Sequence, residues 1–382
     1  MNKLFIACMF LLLFIGCKST TKNEMETILF PQPSTAPLEL SGLIEKQHFI
    51  RLETTTESLL GAINKVTVSD RLIFIKSNGA IYIFQKEGKF IRKIDKKGIG
   101  PNEYIRLSDF DVDINKKELI IFDKEKKQLL SYDFHGNFIS TISLDFWAIK
   151  FKKVSKEHII LFSGNETSGD GQNYKFTLLS AQGSKQRFHV INEHKSGYLH
   201  VNTHQNFYEN KSKHFFFEAF NDTVYLFDSD FKIKPEYHFS FAGKNIPNAF
   251  FEKQYSNIME FFQAYRKTDY AYGISLFMET DQHIFTIYYV GGQPCYAVYN
   301  KKSKEAQSFS TIQDDLSLNN VVLPPLDDDF QLWTYGNNLI YFLEADWLAE
   351  RKQQIQSVQL NELSTNLNIN DNPIMVISTV RQ

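Results

Sequence analysis

The sequence predicts an all-β protein, a six-bladed β-propeller with short helical insertions. Three observations lead there: an aromatic, β-forming composition, an internal repeat long enough for four strands, and strand-like segments near both ends of the chain. Among the 382 residues are 35 Phe and 18 Tyr, and 43% of the chain is hydrophobic. Such residues suit pleated, half-buried surfaces. The length is ample for a large core, which excludes disorder as the main state. Lys and Arg total 42 against 44 Asp and Glu, a formal charge of −2. That balance leaves no basic surface to displace counterions, so no nucleic-acid partner is expected. An acidic disordered tail is excluded as well.

The N-terminus carries an address. Lys3 supplies a positive start and Leu4 to Ile15 an apolar run, too short to span a membrane stably. A plain secretory signal would end in a small-x-small site. Here the run ends Phe14-Ile15-Gly16-Cys17, which resembles the bacterial lipobox, where the cysteine is acylated and becomes the first mature residue. The expected organisation is therefore a lipoprotein signal peptide at 1–16, lipidation at Cys17, a flexible tether at 17–37 and the propeller at 38–382. The tether is polar and free of aromatics through 18–29. Lys18 stands where an inner-membrane retention signal would place Asp, which favours an outer membrane lipoprotein, periplasmic or surface-facing. Of the three cysteines, Cys295 remains alone after this processing. It lies in an apolar stretch and reads as a small buried side chain.

The repeat follows. Ile81 to Ile94 and Leu129 to Ile142 share an aromatic, a glycine, a Phe-Ile pair and a terminal Ile at an offset of about 48 residues. Upstream, Arg71-Leu72-Ile73-Phe74-Ile75 matches Glu118-Leu119-Ile120-Ile121-Phe122. Each unit holds strands joined by a hairpin at Gly88 or Gly136, where a tight turn needs positive φ. Weaker strand signals occur at Thr223–Asp228, His283–Ile287, Cys295–Tyr299 and Asn338–Leu343. Units of roughly 45 residues between Gly61 and Phe330, with one insertion and a last unit beyond, amount to about six. A β-sandwich would explain alternating strands but not a repeat. Helical spacing marks the insertion at 244–267 and a second helical piece at Asp346 to Leu360. Ile374 to Val380 and Phe49 to Leu52 are expected to pair and close the ring, which removes free sheet edges.

Chemistry-bearing motifs are sparse. Gly98-x-Gly100-Pro101 lacks the following helix and Gly-Lys-Ser/Thr of a phosphate loop and reads as a turn between blades. Asp109, Asp111 and Asp113 alternate with Phe110 and Val112, so in a strand the carboxylates share one face. Near a channel they could bind a cation or sugar hydroxyls; the competing reading is a solvated face. Asp327-Asp328-Asp329 lacks the spacing of a calcium loop. His200 and His204 could meet only on a helix, and no His-Glu-x-x-His or Gly-x-Ser-x-Gly is present. Tyr270, Tyr272, Tyr288, Tyr289, Trp333 and Tyr335 are possible sugar-stacking platforms, although most aromatics must pack blades.

A family resemblance rests on Leu52-Glu53-Thr54-Thr55-Thr56-Glu57-Ser58-Leu59-Leu60-Gly61, Lys97-Gly98-Ile99-Gly100-Pro101-Asn102-Glu103-Tyr104, Ser108 to Asp113, Asn221-Asp222-Thr223-Val224-Tyr225 and Asn372-Pro373-Ile374-Met375-Val376. From about Leu38 to Val380 the chain resembles the six-bladed β-propeller lipoproteins of Bacteroidetes-type bacteria. The resemblance implies shape and location but no reaction, and the residues themselves lead to no expected cofactor or metal. The expected function is a lipid-anchored envelope module that binds or scaffolds a glycan, a small ligand or an envelope protein. The alternative is a propeller hydrolase or lyase, which requires His and carboxylates converging at the channel mouth. The first place to look for a ligand site is Arg106, Asp109 and Asp111, after the Gly-Pro turn and at the start of an innermost strand.

Overall fold

The computed structural model describes residues 25–164, 174–190, 204–253, 255–326 and 330–382. Six antiparallel meanders are laid down along the chain. Their innermost strands are Ile63–Val68, Asp109–Asp113, Lys150–Lys153, Phe207–Asn210, Ala271–Glu279 and Trp333–Tyr335. In the first five meanders the next three strands follow outward in order. In the sixth, Trp333–Tyr335 is followed by Asn338–Leu343, then Ile374–Val380, and the outer edge is Ile44–Arg51 from the opposite end of the chain. Met375 pairs with Ile50 and Val376 with Phe49, so the two ends complete one sheet and lock the ring.

The expectation of six blades is corrected: the described residues form seven sheets. The seventh is three-stranded and consists of Leu38–Glu39, Ile312–Asp314 and Val321–Val322. Strands of two or three residues are too short to show alternation in a sequence, and this sheet joins segments from opposite ends of the chain. Part of the segment 17–37 expected to be a flexible tether is a strand. Glu26–Phe30 adds in parallel to Ile233–Phe241 as a fifth strand of the fourth meander. Ile28 and Phe30 are buried, and the Phe30 ring meets Phe239 edge-on at 5.1 Å.

Apolar side chains pack between successive sheets rather than in one central core. Phe74, Ile81 and Ile83 of the first meander meet Phe110, Leu119 and Ile121 of the second. Ile120 and Phe122 of the second meet Phe151 and Leu161 of the third, and the third packs on the fourth through Phe162, Phe176 and Phe216. The repeat shows up as identical hairpins. Gly88 donates its N–H to Gln85 and Gly136 to Asp133, each at 2.9 Å, with φ of 91° and 84°. A Cβ at Gly88 would lie 2.1 Å from the Arg51 carbonyl oxygen, so close approach adds to the conformational demand. The helical insertion splits into Asn248–Glu252 and Ile258–Tyr265, whose Phe251 and Phe261 pack with Phe220 in an aromatic cluster of their own. Ala345–Glu350 and Val358–Ser364 occupy the second helical region.

Candidate functional site

The inner strands surround a cavity of about 310 Å³. Its walls come from five of the six: Ile63–Val68, Asp109–Asp113, Lys150–Lys153, Phe207–Asn210 and Trp333–Tyr335. The sixth, Ala271–Glu279, contributes no lining residue. Phe207–Asn210 and Trp333–Tyr335 contact each other directly. Gln205 makes that junction. Its Oε1 accepts from Thr334 N and Oγ1 at 3.1 and 2.9 Å, and its Nε2 donates to Thr334 O at 3.1 Å. A side-chain amide thereby reproduces the backbone pairing that two splayed strands cannot make.

Alternation puts Asp109, Asp111 and Asp113 on one face of their strand, and they are only 2%, 4% and 6% exposed. The face is therefore not solvated. It binds the neighbouring inner strand: Asp109 Oδ2 accepts from Phe151 N at 3.3 Å and Asp111 Oδ2 from Lys153 N at 2.9 Å. The charges are answered by lysines from both sides. Lys65 Nζ donates to Asp109 Oδ1 at 2.8 Å and to Phe110 O at 2.6 Å. Lys152 Nζ stands 3.3 Å from both Asp111 Oδ2 and Glu209 Oε2. Lys153 pairs with Asp113 at 3.4 Å. Buried carboxylates left alone would cost several kcal/mol each, on the order of 3–5 when a partner is removed, so the pairing is structural as well as electrostatic.

Charge is unevenly spread along the channel. Around Asp109 stand Lys65, Lys150 and, on the next strand, Lys76, the cross-strand partner of Lys65. Burial works against the Asp109 carboxylate, but Lys65, Lys150 and Lys76 outweigh it and hold its pKa below the ordinary range. The lysines are affected in return. Burial lowers the Lys150 pKa, with Asp109 opposing and Lys65 adding to the fall. Burial pushes Lys76 down to about 8, again against Asp109 and with Lys150, Lys65 and Arg106 repelling. Further along the strands the balance reverses. Two carboxylates, Asp111 and Glu209, flank Lys152 and keep its pKa above the ordinary lysine value despite burial. Burial lowers the pKa of His214, beside Glu209, and its Nδ1 is buried with no hydrogen-bond partner among the described residues. A strand rises about 3.3 Å per residue, so Asp109 and Asp111 stand about 7 Å apart, the first among three lysines and the second sharing Lys152 with Glu209.

Asp109 and Asp111 thus lie together in the cavity wall. Arg106 does not: it is exposed before the strand and reaches the site only through its repulsion of Lys76. The turn before it is self-contained, with Gly100 N donating to Glu103 Oε2 at 2.9 Å. Of the aromatics, Trp333 and Tyr335 line the cavity. Tyr288 is core, and Tyr272 stacks on Tyr289 at 5.4 Å. His204 also lines the cavity. Cys17, His200 and Asp327-Asp328-Asp329 lie outside the described residues. Cys295 is buried, and burial raises its thiol to about 11. Sequence reasoning missed Lys65, Lys150, Lys152, Gln205, Glu209 and Thr334. One signal was available: Lys150-Phe151-Lys152 alternates as Asp109-Phe110-Asp111 does. Among the described residues, no three His, Cys, Asp or Glu side chains come together closely enough to hold a metal ion. Likewise none of the described helices is long and apolar enough to cross a membrane.

A family model described as a domain of unknown function, DUF4934, matches residues 28–379. None of the curated proteins matches the chain. A Bacteroides fragilis protein inferred to be exported has a similar crystal structure, with a TM-score of 0.75 and 23% identity over 93% of this chain and 100% of that one. A member of the DUF4221 family from Bacteroides vulgatus is similar at a TM-score of 0.54 and 12% identity, over 89% of this chain and 97% of that one. At these identities the likeness is one of fold.

Proposed function

The chain belongs to the DUF4934 family of domains of unknown function, and on that footing we propose that it is a lipid-anchored envelope module that binds a small polar ligand in its channel. The β-propeller fold and the cavity support a binding role. The observation that carries the reading is the cavity wall itself, to which Lys65, Asp109, Asp111, Lys150, Lys152 and Glu209 contribute from four inner strands. Asp109 and Asp111 are buried and Lys65, Lys150 and Lys152 half-buried, a placement that costs free energy even when the charges are paired. The Asp109 and Asp111 carboxylates tie neighbouring inner strands together, but Lys65 and Lys150 bring more positive charge and more donors into the cavity than Asp109 answers, and that surplus supports recognition. Tyr335, exposed in the same wall, offers a ring face for a sugar or another flat ligand. The size of the cavity, about 310 Å³, favours a small molecule over a protein partner.

The address is part of the proposal. The lipobox-like Phe14-Ile15-Gly16-Cys17 places lipid on Cys17 and the domain in the periplasm or at the surface of the outer membrane. A structural neighbour inferred to be exported supports this reading. Labelling with a radioactive fatty acid tests it: label should appear on the native chain and vanish in Cys17→Ala, and undiminished label in that variant removes the anchor.

Ligand binding is tested by thermal shift against sugars, amino acids, nucleotides and short-chain acids, with the native protein beside Thr67→Trp. Thr67 lines the cavity, and the larger ring fills it. At least one compound should raise the melting temperature of the native protein and fail to do so in the variant. If no compound acts, or if the variant responds equally, the channel is not a ligand site.

A further inference from the structure

The channel reading leaves open which chemistry the cavity selects. Charge and donor capacity at the Asp109 end settle on one class. Three ammonium groups, those of Lys65, Lys76 and Lys150, act on one carboxylate, Asp109. That carboxylate has little capacity left: Oδ1 accepts from Lys65 Nζ and Phe110 N, and Oδ2 from Phe151 N. The lysines are not satisfied in return. Lys65 Nζ donates to Asp109 and Phe110 O, Lys76 Nζ to Ser108 O at 2.7 Å, and Lys150 Nζ to His204 O at 3.1 Å. An ammonium carries three donors, so more than half of this group's N–H bonds have no acceptor among the described residues. Arg106 adds positive potential from outside. Lys65 and Lys150 both line the cavity.

From this we infer that the channel takes a small ligand bearing an oxyanion, a carboxylate or a sulfate or phosphate ester, held between Lys65 and Lys150. This rests on the channel being a ligand site. The oxyanion supplies the acceptors and negative charge that the lysine cluster lacks, through charge-assisted hydrogen bonds. The rest of the ligand extends toward Glu209, whose half-exposed carboxylate accepts from hydroxyl or amine groups, and past Tyr335, which is 46% exposed.

Isothermal titration with D-glucuronate, glucose 6-sulfate, glucose 6-phosphate and D-glucose tests this. The scaffold is constant, so the arms separate the three oxyanions from one another and from the neutral sugar. At least one anionic arm should bind tenfold or more tightly than glucose. Lys150→Met should remove that preference, Lys150→Arg should restore most of it, and Lys302→Met, an exposed lysine far from the cavity, should leave it intact. Melting temperatures without ligand show that each variant is folded. Glucose binding as well as every anion, or Lys150→Met keeping the full preference, overturns the oxyanion assignment while the channel remains a ligand site. Binding of none of the four, together with a failed broader screen, removes both.

Discussion

Replacing Lys76 by Met should make the protein more stable at neutral pH and impair its channel. Lys76 Nζ is largely shielded from water and donates to Ser108 O at 2.7 Å. Burial lowers its pKa from 10.5 to about 8, against the pull of Asp109 and with Lys150, Lys65 and Arg106 pushing the same way. A displacement of that size corresponds to roughly 3 kcal/mol against the charged form. Between pH 8 and 10.5 the unfolded chain binds more protons at this residue than the folded one. The penalty is therefore complete below pH 8 and is relieved as pH rises toward 10.5. Methionine has similar reach and no charge, and the loss of the bond to Ser108 costs about 1 kcal/mol. The expected net gain is about 2 kcal/mol at pH 7, falling close to zero at pH 9.5. Urea unfolding followed by tryptophan fluorescence at both pH values measures it. A variant less stable than the native protein at pH 7, or a gain that does not change with pH, would refute the reasoning. A stabilising variant that binds anions less well would identify Lys76 as retained for function at a cost in stability.

Other outcomes follow from packing. Gly88→Ala forces a residue with a side chain to φ near 91° with its Cβ 2.1 Å from the Arg51 carbonyl oxygen; urea unfolding should show a loss of about 2–4 kcal/mol, because the closing sheet must shift. Cys295 is buried and its thiol is raised to about 11, so in a chain beginning at Lys18 a thiol reagent at pH 8 should react only after denaturant is added. Rapid labelling of the native protein would contradict the placement of Cys295.

The legible part of the fold was the pair of units in which a turn glycine stands between matching apolar strands. Gly88 and Gly136 revealed two units, and the same hairpin recurs about 48 residues further at each step. Gly183 N donates to Ser180 O, and Phe231 N to Asp228 O. The fourth hairpin was hidden because Phe231, at φ 60°, occupies a turn position that usually selects glycine. The closing strands were legible from hydrophobic runs near each end. The seventh sheet was not, since pairs such as Leu38 with Ile312 carry no local pattern. At the site, alternation alone placed Asp109 and Asp111 on one face. Their lysine partners could not be read off, because Lys65 and Lys152 reach them only once the ring has brought three meanders side by side. Arg106 shows the limit from the other direction: it is close in sequence to Asp109, yet the turn leaves its side chain exposed.

The central claim is that the channel is a site for an anionic ligand. Selenate mimics a sulfate or phosphate group and scatters anomalously, so a crystal soaked with selenate reports directly where an oxyanion settles. The account predicts a peak inside the cavity, within hydrogen-bond distance of Lys65 Nζ and Lys150 Nζ, that disappears in Lys150→Met. Selenate bound only on the outer surface, or a cavity peak unchanged in that variant, would contradict it.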